Sequence, residues 1–112
     1  MDQNVNSKLI TSVLPNGTGI PLVKLLKEET GISTGNVSNS RGTGTPAGND
    51  FGDWVEVDVL EVVVDTDRAD EIFNFIYEKA GIGKGEHGFM MQSTLLRSTK
   101  FSLPDLPKEG EL

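Results

Sequence analysis

The residues able to do chemistry are few, and most sit in short glycine-bearing stretches. Residues 83–88 read Gly-Lys-Gly-Glu-His-Gly. That matches the G-x-G-x-x-G spacing whose Cβ-free backbone approaches a pyrophosphate. The fingerprint must follow a strand and open a helix, whereas this run follows a helical pattern and precedes a strand, so the dinucleotide reading fails. His87 is the single histidine, and the chain has no cysteine. No disulfide, thiolate nucleophile or soft-metal ligand set can be assembled from that inventory. His87 reads as a loop residue that could titrate near neutrality beside a bound anion. The acidic group Asp65, Asp67, Asp70 and Glu71 suits the free N–H groups of a helix start better than a cation. Met90 and Met91 read as packing residues. The motifs offer no nucleophile beside a base and no acid/base pair, so an enzyme is not expected.

The elements that position these residues follow from hydrophobic period. In Val55-Glu56-Val57-Asp58-Val59 apolar and acidic residues alternate as in a strand, and Val59 to Val64 is apolar apart from Glu61; that end is expected to be covered on both faces. Asp65-Thr66-Asp67 then opens a helix whose apolar stripe is Ala69, Ile72, Phe73, Ile76 and Ala80, with Gly81 as the stop. Upstream, Lys8 to Leu14 predicts a short strand and Pro15-Asn16-Gly17-Thr18-Gly19 a turn. Its Asn-Gly is a hairpin signal, but Pro21 and the stripe Leu22, Leu25 and Leu26 predict a helix instead, with Gly31 past its end. Ile32 to Ser40 is a weak strand. Residues 41–50, RGTGTPAGND, read as a loop, and a last strand is expected from about Phe89 to Leu96.

The order is β-α-β-β-α-β. It predicts an α+β fold of the ferredoxin-like type: a four-stranded antiparallel sheet with two helices on one face. The other face, carrying Val55, Val57 and Val59, would need an apolar cover, and self-association supplies one. Residues 1–7 are expected to be frayed, 8–103 to form the single domain, and 104–112 to be an acidic, proline-containing tail. A chain of 112 residues has room for one core. A net charge of -7 argues against nucleic acid as a partner. The N-terminus lacks a basic-then-apolar signal segment, and no apolar run approaches the roughly 20 residues of a membrane span. A cytoplasmic protein without membrane insertion is expected. On that expectation the sequons at Asn16 and Asn36 have no meaning.

Several segments in this order resemble the P-II nitrogen-regulatory proteins. Gly31 to Gly44 (GISTGNVSNSRGTG) is similar to the family's second strand and loop entry, Leu60 to Asp67 (LEVVVDTD) to its Ile-Glu-Ile-Val-Val-Pro-Asp-Asp, and Ile82 to Gly85 (IGKG) to its Ile-Gly-Asp-Gly. The resemblance covers most of residues 8–101. It implies a homotrimer with clefts between subunits that take an adenine nucleotide. It also implies a T-loop, here about 45–53, that docks on a transporter or metabolic enzyme in nitrogen or carbon metabolism. Carried over position by position, the ligand-binding set is Gly42, Gly44, Glu61, Gly83, Lys84, Gly85, Arg97 and Lys100. Glycines suit such a site because a backbone without Cβ can bring its N–H groups to phosphate oxygens. The partner-binding loop would comprise Pro46, Asn49, Phe51 and Trp54, with no metal site.

The chain also departs from the family pattern. Thr45-Pro46 replaces an Arg-Gln pair, Val57 a phosphate-binding lysine and Asn36 a base-contacting threonine. Ser98 stands at the first of two arginine positions, with Arg97 one residue away and Lys100 near the second. The loop is short and lacks a tyrosine, so the usual nucleotidylylation site is missing. These losses predict weak anion binding with a preference for a mono- or diphosphate over a triphosphate. The alternative is a trimer resembling the divalent-ion tolerance proteins of the same fold, without nucleotide binding. A single-strand RNA reader shares the element order, but it needs aromatics exposed on central strands and a basic surface, whereas Phe73 and Phe75 fall on the helical stretch and the charge is acidic.

Overall fold

The computed structural model describes residues 3–4, 6–43, 54–84 and 88–99. Its elements are β1 (Gln3–Asn4), β2 (Ser7–Pro15), α1 (Gly19–Thr30), β3 (Asn36–Thr43), β4 (Trp54–Asp65), α2 (Ala69–Lys79), β5 (Phe89–Thr94) and β6 (Ser98–Thr99). Four strands form one antiparallel sheet in the order β3-β4-β2-β5, while β1 and β6 form a two-stranded ribbon. This is the ferredoxin-like arrangement, with both helices on one face.

Strand alternation sets the layers. Residues Leu60, Val62 and Val64 of β4 and Ile10 and Leu14 of β2 point under the helices and are buried. They meet Leu22 and Leu26 of α1 and Ala69, Ile72 and Ile76 of α2. Burying each of the larger aliphatic side chains is worth roughly 1.5–3 kcal/mol, and these contacts hold the two layers together. The opposite face carries Leu9, Val13, Val57, Val59 and Val63, all half-buried. Phe89 and Met91 lie on it too, 53% and 47% exposed. Cα pairing puts them side by side: Met91 faces Thr11 and Phe89 faces Val13 on β2, and Thr11 faces Glu61 and Val13 faces Val59 on β4.

Local chemistry sets the joints. The Thr18 N–H donates to Pro15 O at 3.1 Å, and Gly17 takes φ 90° there, so Asn-Gly makes a turn into α1 rather than a hairpin. Gly31 closes α1 in the left-handed region, its N–H donating to Lys27 O. A 3-10 turn at Thr66–Arg68 precedes α2. Arg68 Nη2 reaches Thr30 O at 3.2 Å and Glu71 Oε2 at 2.8 Å, tying the end of α1 to the start of α2. A second, longer pair, Lys79 to Glu29 at 3.9 Å, joins the same helices.

Three boundaries differ from the sequence reading. The strand expected over 32–40 forms at Asn36–Thr43 instead, because β4 is twelve residues long and offers pairing as far as Trp54. Ladder pairing overrides the turn propensity of Arg41-Gly42-Thr43. Within the polar segment 1–7, expected to be frayed, Gln3–Asn4 pairs with Ser98–Thr99, and Ser7 opens β2 opposite Asp65. The last strand ends at Thr94, where the Leu95 N–H turns back to Ser7 O. The tail 104–112 and the loop 45–53 lie outside the described residues.

Candidate functional site

The expected ligand residues fall in three places. Gly42 lies in β3 opposite Val55. Its backbone is not left-handed; among the described residues the glycines with positive φ are Gly17, Gly31 and Gly81. Gly83 and Lys84 form a 3-10 turn, Ile82–Lys84, beyond the end of α2. Gly42 and this turn lie toward the same end of the sheet, but β3 and β5 are its opposite edges. Three strand spacings, about 14 Å, separate those edges. One chain therefore does not close a site between them. Arg97 follows β5 at the far end, where Thr94 pairs with Lys8, so a single chain does not bring it to Gly83 either. Glu61 lies mid-sheet on the face away from the helices, opposite Thr11 and Asn36.

The Gly83 turn borders a hollow of about 390 Å3 lined by Tyr77, Glu78, Gly81, Gly83 and Lys84. The Lys84 N–H is already engaged by Gly81 O at 2.9 Å, so its exposed ammonium is the donor left for an anion. Gly83 has a local reason to be glycine: a Cβ there would collide with the Tyr77 hydroxyl and ring. Gly44, Pro46, Asn49, Phe51, Gly85 and Lys100 lie outside the described residues. Of Trp54 the structure describes the backbone, which opens β4 opposite Thr43.

Of the acidic group expected to cap α2, Asp65 ends β4, Asp67 lies in the 3-10 turn, and Asp70 and Glu71 stand in the first turn of the helix; neither N-cap residue, Asp65 or Arg68, makes a side-chain capping bond. Glu71 is claimed by Arg68, whose hydrogen bond holds the carboxyl below its ordinary pKa and raises that of the guanidinium. Among the described residues no group of three His, Cys, Asp or Glu side chains is placed to hold a metal ion. No helix among them is long and apolar enough to cross a membrane.

Sequence reasoning missed a polar junction built on Asp58. This carboxylate is 3% exposed. Its Oδ2 accepts the N–H groups of Gly17 at 3.0 Å and Gly19 at 2.8 Å, and its Oδ1 accepts Asn39 Nδ2 at 2.8 Å. The signal was available in the register, since Asp58 shares the inward parity of Leu60, Val62 and Val64. Beside it, Asn16, Gly17, Ile20, Val37 and Asn39 line a small hollow of about 170 Å3.

No protein-family model matches the sequence, and no curated protein matches it. Among solved structures, the chain is similar to Arabidopsis thaliana PII bound to citrate, with a TM-score of 0.68 and 19% sequence identity. The match covers 92% of this chain and 97% of that one. At that identity the likeness establishes a shared fold over nearly the whole of both chains.

Proposed function

We propose that this protein is a P-II-like regulator, a ligand-responsive homotrimer that acts on a transporter or metabolic enzyme by protein contact. The observation that carries this reading is an apolar sheet face that no element among the described residues covers. Leu9, Val13, Val57, Val59, Val63, Phe89 and Met91 form it, and a closed assembly is the simplest cover for such a face. A cyclic arrangement also answers the separation of the two glycine segments, since it sets the β3 edge of one subunit near the β5 edge of the next. The Gly42–Gly44 and Gly83–Gly85 segments would then flank an anion such as an adenine nucleotide, with Lys84 and Lys100 supplying positive charge. The loop at about 45–53, with Pro46, Asn49 and Phe51 in it and Trp54 just beyond, would be the partner contact. On this reading the chain carries out no chemistry of its own; it transmits occupancy.

Calorimetry with AMP, ADP, ATP, 2-oxoglutarate and bicarbonate tests the reading. Binding of a mono- or diphosphate nucleotide should be weak, and a lost charge-assisted phosphate contact should weaken it about ten- to a hundredfold in Lys84→Ala or Lys100→Ala. Nanomolar ATP binding, or binding indifferent to both substitutions, would put the site elsewhere. A protein that forms trimers yet binds none of the five ligands would favour the divalent-ion tolerance-like alternative.

A further inference from the structure

Among the described residues Asp58 is the only ionisable side chain in the buried set, and its bonds join three segments that are far apart in sequence. Thr18 stands at the N-cap of α1 but makes no side-chain capping bond. The Asp58 carboxylate, reaching across from β4, accepts the Gly17 and Gly19 N–H groups in its place. Negative charge at a helix start is favoured by the helix dipole as well as by these bonds. Close packing reinforces the joint: a Cβ on Gly19 would lie 2.7 Å from Val37 Cγ1 and 3.0 Å from Asp58 Oδ2. The start of α1 thus rests directly on β3 and β4.

The other carboxylate oxygen faces β3 through Asn39. β3 is an edge strand, and its residues 38–41 are exposed. Val37 packs on the core, but the strand beyond it has little apolar anchorage. Its other side-chain tie on that face is Arg41 to Glu56 at 3.8 Å, with both side chains more than half exposed, and such pairs contribute little. Asn39 lies four residues before Thr43, where the chain leaves toward 44–53.

We propose that Asp58 is a positioning residue: it fixes the outer half of β3, and with it the base of the 44–53 segment, and couples that base to the first turn of α1. The regulatory meaning rests on the reading of 44–53 as a partner contact; the coupling itself does not. Anything that moves the Asn16–Gly19 turn would then be felt at the base of that segment.

Residue-resolved amide exchange on the full chain tests this, using Asp58→Asn, which keeps the volume, Asn39→Ala, and the double variant. Asp58→Asn should speed exchange about tenfold or more at Gly17, Gly19 and the β3 amides that bond β4, as expected for losing hydrogen bonds to a charged acceptor. Amides of α2 and of 60–64 should change much less. Asn39→Ala should speed exchange in β3 and leave Gly17 and Gly19 alone, and in the Asp58→Asn background it should add little. A uniform change across all amides would show a loss of global stability in place of a specific coupling, and an unchanged β3 in Asp58→Asn would reduce Asp58 to a local helix cap; either result overturns the proposal. If Asp58→Asn fails to fold, Asn39→Ala decides alone, since an unaffected β3 in that variant overturns the coupling. Light scattering on the same samples keeps the two readings apart: a monomeric wild type would remove the trimer, whereas the exchange pattern alone judges Asp58.

Discussion

The two faces of β4 are made from nearly the same side chains and have opposite fates. Leu60, Val62 and Val64 lie at 0–3% exposure beneath the helices. Val57, Val59 and Val63, interleaved with them, are only partly buried on a face that also carries Phe89 and Met91. A strand apolar on both sides has no use for the second side in isolation. The difference teaches that hydrophobicity specifies burial without specifying by what: the chain's own helices cover one face, and under the proposed function copies of the chain cover the other.

Substitutions on the two faces should therefore separate folding from assembly. The largest effect on folding is expected at the covered face, where Leu60→Ala should cost about 2–5 kcal/mol in urea unfolding, enough to threaten a small domain. Val59→Asp, one residue away, should leave far-UV circular dichroism intact and instead abolish association. Equal unfolding by both would erase the distinction.

A smaller effect is expected at Gly83→Ala: the Tyr77 hydroxyl that a Cβ would meet is the tip of an exposed side chain and can turn aside, so the cost should stay at about 0.5–1 kcal/mol. Tyr77→Ala should relieve most of that cost if the ring is the reason for the glycine. A cost that persists in the double variant would place the reason for the glycine in the backbone of the turn. The smallest effect is expected at Glu71. Its carboxyl pKa is lowered by the Arg68 hydrogen bond, so its contribution is full above the ordinary carboxylate range and is lost as pH falls through the depressed value. Glu71→Gln should slightly flatten the acid limb of a stability–pH profile and leave the neutral limb parallel. A steeper acid limb would reverse the sign assigned to that pair.

Much of this architecture was legible in the sequence because period and punctuation agreed. Leu22 and Leu26, then Ile72 and Ile76, fall at helical spacing, and Gly31 and Gly81 take the positive φ that stops each helix. The boundary of β3 was less legible, because pairing with a long neighbouring strand decides it rather than the propensity of Ser, Asn and Gly. The Asp58 junction escaped because an acid in an alternating strand is read as facing solvent. Only the inward register of Leu60 through Val64, extended two residues back, places it under the first turn of α1. The residues expected to bind a ligand were legible only as positions: Gly42 stands in β3, Gly83 in the turn after α2 and Arg97 after β5, and one chain does not gather them.

The central claim is that the bare face is covered by copies of the same chain. Light scattering coupled to size exclusion at micromolar concentration, on wild type and Val59→Asp side by side, addresses it most directly. The account predicts the mass of three chains for the wild type and of one for the variant. A wild-type protein that runs as a folded monomer would contradict it.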